Sequence, residues 1–244
     1  MAVALATIVT SALTGSLSAV ADGHSGNSIG SDHWGVITRN TIGSPVAVLR
    51  DGPFGSFGVT GSASRPPYGN GSLGIEVADD STSLNPPSEK VDFGNEVDFY
   101  GGRVRDLTAL GFHVFQTQEN VDFANARNLP NIKIEINPRL TADPYSTMVW
   151  LPPAVTQTNR WSGPLNAVTT GEWFLSGGEL TPLCTQSSPC DFMTLRNALP
   201  QATIYSVAVG KGRDNLWAGA VDGLRVNRYV YDFEADGVRA RRVG

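Results

Sequence analysis

Charged residues are scarce in this sequence, and the basic ones form no continuous patch. Asp, Glu, Lys and Arg make up 17% of the 244 residues, and 18 basic residues against 23 acidic ones give a net charge of −5. A protein that neutralises a phosphate backbone needs clustered Lys and Arg side chains. We therefore expect no nucleic-acid partner.

Histidine and cysteine are also scarce, which limits metal chemistry. The three histidines, His24, His33 and His113, show no ligand spacing such as H-x-x-x-H, so we expect no zinc site. The two cysteines, Cys184 and Cys190, lie in the loop CTQSSPC. In an exported protein such a closely spaced pair indicates a disulfide, whereas a metal site would need more ligands than two thiols.

Long apolar runs are absent except at the start of the chain. Residues 2–21 carry no charge and end in AVA before Asp22, which is a small-x-small cleavage pattern. We predict a signal peptide over residues 1–21 and an extracellular, secreted protein, although the first basic residue is Arg39; a buried N-terminal helix is the alternative. No later stretch has the roughly 18 apolar residues of a membrane span, so we expect no span.

Turn-forming residues and alternating segments are abundant. The chain has 27 Gly and 15 Pro, and in IKIEIN the residues Ile132, Ile134 and Ile136 lie on one face, with Lys133 and Glu135 on the other, as in a half-buried antiparallel strand. Six further segments alternate in the same way: LGIEVA, LGFHVFQ, STMVWL, EWFLS, TIYSVAV and YVYDFE. The only clear helix is short, DFMTLRNAL, with Asp191 as N-cap. We predict an all-β fold, a two-sheet antiparallel β-sandwich or jelly roll with one short helix.

The same patterns divide the chain into segments. Residues 22–42 lack periodicity and are predicted to form an extended N-terminal arm or first edge strand. Residues 43–236 form the β-sandwich domain. Residues 237–244 are predicted to be a solvated basic tail that carries Arg239, Arg241 and Arg242.

The order of segments resembles a known group of proteins. PPYGNGSLGIEV, GRVRDLTALGFHVFQT, NLPNIKIEINP, YSTMVWLPP, LPQATIYSVAVGKG and the closing WAGAVDGLRVNRYVYDFE are similar to secreted bacterial β-jelly-roll modules, concanavalin-like or carbohydrate-binding-module-like, which end in a VDxxxx…YDFE strand pair. The resemblance covers roughly Gly43 to Glu234. It implies the fold and export, and says little about activity. One departure is Asn227-Arg228 in place of Asn-Gly, since a type I′ turn would put Arg228 at positive φ.

The stretch NEVDFYGG raises the question of glycosidase activity. Family-16-type glycosidases on concanavalin-like folds use Glu-x-Asp-x-x-Glu, and Glu96 and Asp98 match the first two positions, but Gly101 stands where the acid is required. Loss of general acid catalysis typically costs a factor of 100 to 10,000. We therefore interpret Glu96 and Asp98 as solvent-face residues of a strand and expect no catalytic residues of this type. A polysaccharide lyase remains an alternative, with His113, Arg103 or Arg105, and a Tyr as its only candidates.

Aromatic side chains are the remaining candidates for ligand binding. Trp161 and Trp173 flank a turn-rich loop, QTNRWSGPLNAVTTGEW, and Tyr145, Asn159 and Arg160 lie near them in sequence. Flat rings stack on sugar C–H groups while polar neighbours bond hydroxyls. Core packing is the alternative for Trp161 and Trp173, and it is the role we expect for Trp150 and Trp217.

The combined reading is a secreted, non-catalytic β-sandwich module that binds glycan or a cell-envelope polymer. The alternatives are a polysaccharide lyase or glycoside hydrolase on the same fold, and a structural or adhesive surface protein. We expect no cofactor, with a structural Ca²⁺ kept open because sandwich loops often supply its oxygen ligands. Asp79 with Asp80, or Asp232 with Glu234, are the candidate ligands.

Overall fold

The computed structural model describes two antiparallel sheets packed into a β-sandwich. The described residues are 28–53, 59–77, 89–117, 120, 128–140, 142–178, 183–212 and 216–244, so the predicted signal peptide lies outside them. The nine-stranded sheet contains β1 (Ser28–Ser31), β3 (Val46–Asp51), β4 (Gly71–Val77), β6 (Leu110–Gln116), β9 (Arg160–Trp161), β10 (Leu165–Asn166), β13 (Trp217–Val226), β14 (Tyr229–Glu234) and β15 (Gly237–Arg242). The six-stranded sheet contains β2 (Trp34–Val36), β5 (Val91–Asn95), β7 (Asn131–Asn137), β8 (Ser146–Leu151), β11 (Glu172–Ser176) and β12 (Thr203–Lys211). The predicted all-β sandwich is confirmed, and it is compatible with a jelly roll.

The sheet orders show which strands form the centre of each layer. The six-stranded sheet runs β11-β8-β7-β12-β5-β2. In the nine-stranded sheet the order is β1-β15-β14-β13-β4-β3, and the long β13 also pairs with β6, which in turn pairs with β9 and β10. Both sheets therefore join segments from the two ends of the chain.

Alternation explains why these segments are strands. Ile132, Ile134 and Ile136 on β7 are each 0% exposed and face the opposite sheet, as the IKIEIN pattern predicts. Inward residues of the nine-stranded sheet, such as Leu73 and Val221, complete one continuous core. Burial of these side chains removes apolar surface from water, which is the main favourable contribution to the stability of such a fold.

The predicted helix forms where expected, as α1 (Phe192–Ala198). Asp191 caps it, since its Oδ1 accepts a hydrogen bond from Thr194 N at 2.8 Å. Phe192 and Leu195 are buried. The described part of the chain also contains three short 3-10 helices, Thr38–Asn40, Gly61–Ala63 and Val104–Asp106. No helix among the described residues has the length and apolar character needed to cross a membrane.

The two ends of the described chain are both strands. The predicted arm contributes β1 and β2. The C-terminal residues differ from the predicted solvated tail, because Gly237–Arg242 form β15 between β14 and β1. The reason is visible in the sequence: Val238, 2% exposed, and the partly buried Ala240 both pack against the core and alternate with Arg239 and Arg241.

The disulfide and the last hairpin are also defined. Cys184 and Cys190 are bonded, with S–S 2.07 Å, as predicted. Their loop follows the outer edge of β11, where Trp173 N donates to Cys190 O at 2.7 Å. In the β13–β14 turn the positive φ falls on Asn227 (54°) and not on Arg228, since Asn tolerates this conformation far better than Arg.

Candidate functional site

The predicted ligand-binding residues lie in three different surroundings. Arg160 and Trp161 form β9, on the nine-stranded sheet, and Asn159 precedes them with a positive φ of 58°. Trp173 lies inside the core, 0% exposed, and its Nε1 donates to Ala167 O at 2.7 Å. Tyr145 lies beside β8 of the other sheet, where its hydroxyl donates to Glu135. The structure therefore brings together only Asn159, Arg160 and Trp161.

Trp161 is partly exposed, unlike the other tryptophans of the predicted set. Its ring packs against Phe115 with a centroid distance of 5.7 Å, and its Nε1 lies 3.3 Å from Ser64 O. Trp150 and Trp217 are both 0% exposed, so their predicted core role is confirmed. Trp173 joins them, which leaves its ring faces inaccessible to a ligand.

A cavity of about 620 Å³ lies next to the loop over residues 157–173. We call it the loop-side cavity. That loop supplies Pro164, Leu165 and Asn166 to its wall, and strands β6, β13 and β14 supply most of the rest. Its lining is Tyr68, Ala109, Leu110, Gly111, Phe112, His113, Pro164, Leu165, Asn166, Gly223, Arg225, Val230 and Val243. Apolar and hydrogen-bonding groups therefore share one concave surface, which is the usual character of a small-ligand site.

His113 and Tyr68 stand together at this cavity. Their rings meet edge to face with centroids 5.9 Å apart. Gly223, at φ 64°, makes room for them, because a Cβ there would lie 2.5 Å from Tyr68 Cε2 and 3.3 Å from His113 Cδ2. Burial lowers the pKa of His113 below its usual value, against the hydrogen bond to Ser162 O that acts to raise it. The imidazole is therefore neutral at neutral pH.

Asp222 lies directly behind the cavity, next to Gly223. Burial raises its pKa to about 7, although hydrogen bonds from the backbone amides of Phe233 and Tyr68 oppose the change. The Tyr68 amide donates to Oδ2 at 3.0 Å and the Phe233 amide to Oδ1 at 3.2 Å. Asp222 is 0% exposed, so it supports the wall of the cavity and does not reach into it.

The glycosidase-like carboxylates are not on a strand, which corrects our expectation. Strand β5 ends at Asn95, whose Oδ1 accepts the amides of Val97 and Asp98 at 2.9 Å each and so starts a turn. Glu96 pairs with Arg39, whereas Asp98 bonds Ser31 and His33. Although burial acts to raise it, hydrogen bonds from Ser31, His33 and Asn95 lower the pKa of Asp98. The two carboxylates have separate partners and share no site.

The lyase candidates are also rearranged. Arg103 forms a backbone bridge with Thr203, and Arg105 lies 3.8 Å from Asp106. Neither lines the loop-side cavity, whose lining contains Arg225, the residue opposite Gly111 of β6. His113 lies on β6 in this lining, but the arginine that shares its cavity comes from β13, far along the chain.

A second group of polar residues was missed by the sequence analysis. On the side of the six-stranded sheet that faces away from the core, Glu135 is 2% exposed and is bonded by Arg39, Asn40, Tyr145 and Ser206. Burial alone would raise its pKa, but the hydrogen bonds from Ser206, Asn40 and Tyr145 and the charge of Arg39 lower it below the usual value. The charged residues at alternate positions of β7 indicated only the side of the sheet on which they lie. Their burial depends on parts of the chain that are distant in sequence.

The calcium candidates are only partly described. Asp79 and Asp80 lie outside the described residues. Asp232 is paired with Arg241 at 2.5 Å, and Glu234 Oε1 accepts from Asn70 N at 3.2 Å. Within the described ranges no group of three or more His, Cys, Asp or Glu side chains is arranged to hold a metal ion.

Comparison with known proteins assigns no family to the chain. No family model matches it, and no curated protein matches it either. Its function must therefore be inferred from the chemistry of its own cavities.

Proposed function

We propose that the protein is an exported, non-catalytic β-sandwich module that binds glycan in the loop-side cavity. One observation carries this: Tyr68, which is half buried, lines one cavity together with the polar residues His113, Asn166 and Arg225 and the apolar Leu165. A sugar offers C–H groups to a ring face and hydroxyls to polar groups. The Cys184–Cys190 disulfide supports export, because such bonds persist in oxidising compartments.

The absence of an available acid favours binding over hydrolysis. Glycoside hydrolysis needs two carboxyl groups that both reach the scissile bond. Among the residues that line the loop-side cavity there is no Asp or Glu, and Asp222 behind it has both oxygens occupied by backbone amides. We therefore assign the cavity to recognition.

The test is a glycan array probed with the mature protein and two tyrosine variants. Tyr68→Ala removes the ring at the cavity and should weaken binding several-fold or more, since ring stacking contributes about 1 kcal/mol beyond area burial. Tyr100→Ala is the matched control, because Tyr100 is 69% exposed and lies outside the cavity. Equal binding by Tyr68→Ala and the wild type, with both cooperatively folded, contradicts the assignment. A wild type that binds nothing on the array but self-assembles supports the structural or adhesive alternative.

A second candidate function, polysaccharide lyase, is favoured by the same cavity. Tyr68, His113 and Arg225 together are the side-chain types that β-elimination uses. A base removes the proton next to the uronate carboxylate, the glycosidic oxygen leaves with a proton, and a C=C bond remains; a cation stabilises the developing negative charge. The test is incubation of the protein with a panel of uronate polysaccharides. If the wild type produces new reducing ends and ultraviolet absorbance and both are lost in His113→Ala and in Tyr68→Phe, the cavity is catalytic and the binding function is wrong.

A further inference from the structure

The outer face of the six-stranded sheet has a recess of its own, about 280 Å³ in volume. We call it the outer-face recess. It lies on the side of the sheet that faces away from the core, on the opposite sheet from the loop-side cavity. Its lining is Asn40, Lys90, Asp92, Asn131, Lys133, Tyr145, Thr147, Val149, Leu151, Phe174, Ser176, Gln186 and Gly212.

A buried ion pair forms one side of this recess. Lys133 on β7 donates to Asp92 on β5 at 2.5 Å, and the two residues are only 7% and 2% exposed. They meet above Gly210 of the intervening β12, where a Cβ would lie 2.0 Å from Asp92 Oδ1 and 2.8 Å from Lys133 Nζ. The absence of a side chain at Gly210 therefore lets the ion pair join β7 and β5 across β12.

Fold stability does not account for such a pair. The outward face of an antiparallel sheet is normally solvated, and replacing a buried ion pair by apolar residues is often neutral or stabilising. The buried pair on this face therefore indicates a role other than stability. Two residues of the lining, Asn40 and Tyr145, are held in place by hydrogen bonds to the neighbouring Glu135, so this edge of the recess is fixed before any ligand arrives.

The chemistry of the recess selects a class of ligand. The charged side chains of the lining, Asp92, Lys133 and Lys90, pair with one another. Beside the recess Arg39 pairs with Glu96 and Glu135, so each charge at the recess already has a partner of opposite sign. Adjacent acceptor and donor atoms, as on Asp92 and Lys133, match neighbouring hydroxyls, each of which donates and accepts. On the other side Val149, Leu151 and Phe174 form a separate apolar cluster that suits C–H groups.

We propose that the outer-face recess is a second binding site, for one neutral sugar ring or a polyol of similar size. The volume is close to the lower limit of about 300 Å³ for small-ligand pockets, which suits one ring and not an extended chain. The site shares no residue with the loop-side cavity. It therefore does not depend on the function proposed there.

The probes are neutral methyl glycosides of glucose, galactose, mannose and N-acetylglucosamine, titrated into the full chain while backbone amide NMR shifts are followed. We expect saturable shifts at Lys133, Thr147 and Ser176, which line the recess. Glucuronate and inorganic phosphate serve as anionic probes. The amides of His113 and Gly223 report the loop-side cavity in the same spectra.

Conservative variants locate the binding. Thr147→Val keeps the shape of the side chain but removes its hydroxyl, and should weaken the glycoside that binds by roughly 3- to 10-fold, the usual effect of one hydrogen bond. Gln186→Ala removes an exposed polar group from the rim and should also weaken it. Thr203→Val on β12 is the matched control, since Thr203 lies outside the recess. Tyr68→Ala should leave these shifts unchanged.

Several outcomes overturn the proposal. One is that no neutral glycoside moves the recess amides at its solubility limit, and another is that only glucuronate or phosphate does. A third is that neither Thr147→Val nor Gln186→Ala weakens binding. If the shifts appear only around His113 and Gly223, the recess proposal fails while the function proposed for the loop-side cavity stands.

Discussion

The outer faces of the two sheets bury carboxylates in opposite ways. On the nine-stranded sheet Asp222 is 0% exposed and its pKa is raised to about 7, mainly by burial. On the six-stranded sheet Glu135 is 2% exposed, yet its pKa is lowered. Both carboxylates are shielded from solvent, yet their pKa values shift in opposite directions, because Asp222 is the more deeply desolvated of the two and because Glu135 has more partners, one of them a cation.

The partners explain this contrast. Asp222 accepts from backbone amides, and these contacts do not offset the loss of water around its charge. Glu135 accepts from three neutral side chains and from the cation of Arg39, which reaches across from the 3-10 helix at Thr38–Asn40. An opposite charge together with several hydrogen bonds is enough to favour the ionised form even when it is buried.

The largest expected effect separates the tryptophans of the two sheets. Trp173 on β11 is fully buried, so Trp173→Ala should lower the free energy of unfolding by about 3 to 5 kcal/mol. Trp161 on β9 is partly exposed and packs on Phe115 alone among the aromatic residues described, so Trp161→Ala should cost less than about 2 kcal/mol. Equilibrium denaturation in guanidinium measures both. Equal losses would mean that Trp161 is as much a core residue as Trp173.

The next effect tests the pairing on the six-stranded sheet. Glu135→Gln leaves Arg39 with Glu96 only and should destabilise the fold by about 2 to 3 kcal/mol, below the usual cost of breaking a buried pair because Arg39 is half exposed. Glu76→Gln on β4 is the matched control, an exposed strand glutamate whose replacement should change stability by less than about 0.5 kcal/mol. An equal loss of unfolding free energy in both variants would mean that the buried ion pair of Glu135 stabilises the fold no more than an exposed glutamate does.

The smallest effect concerns pH. The pKa of Asp222 is raised on folding, so its contribution to stability is fully present below its unfolded pKa of 3.8 and is lost as pH rises through about 7. Between pH 5 and pH 8 this loss is roughly 2 kcal/mol. The pKa of Glu135 is lowered, so its contribution is present above 4.5 and is lost at more acid pH. We expect Asp222→Asn to gain roughly 2 kcal/mol relative to the wild type on going from pH 5 to pH 8.

Urea denaturation at both pH values measures this difference. The pKa of His113 is lowered, so the fold becomes more stable as pH rises towards 6.5. Because His113 is present in both proteins, this effect cancels in the comparison. A wild-type-to-variant difference that does not change with pH would mean that Asp222 does not titrate in this range.

Local patterns predicted the sandwich well and the sites poorly. The alternation in IKIEIN fixed β7, and Asp191 with its apolar neighbours fixed α1. The same alternation implied that Lys133 and Glu135 face water, because it reports only the side of the sheet. Their burial depends on Asp92 and Arg39, which lie far away in sequence, and no local pattern contains that information.

The predicted site residues do not lie together on one surface, for a related reason. Trp161 and Trp173 flank the same loop and both lie in strands, yet one packs at the surface and the other in the core. The register between β11 and β8 turns Trp173 inward beside Trp150, and register is a property of two strands together. In contrast, the disulfide between Cys184 and Cys190 needed no distant partner and was predicted.

The pairing of β4 with β13 has a consequence for how the chain acquires its fold. Gly71–Val77 pairs with β3, which precedes it, but gains its second neighbour only when Trp217–Val226 is present. In contrast, β7 and β8 are consecutive along the chain and pair directly, and β11 joins β8 after the short strands β9 and β10 of the other sheet. Non-local pairings slow folding because loop closure precedes the contacts that stabilise it. During synthesis the six-stranded layer can begin with β7 and β8 while one edge of the apolar strand β4 stays unpaired, so the nascent chain is most prone to aggregate before its last strands emerge.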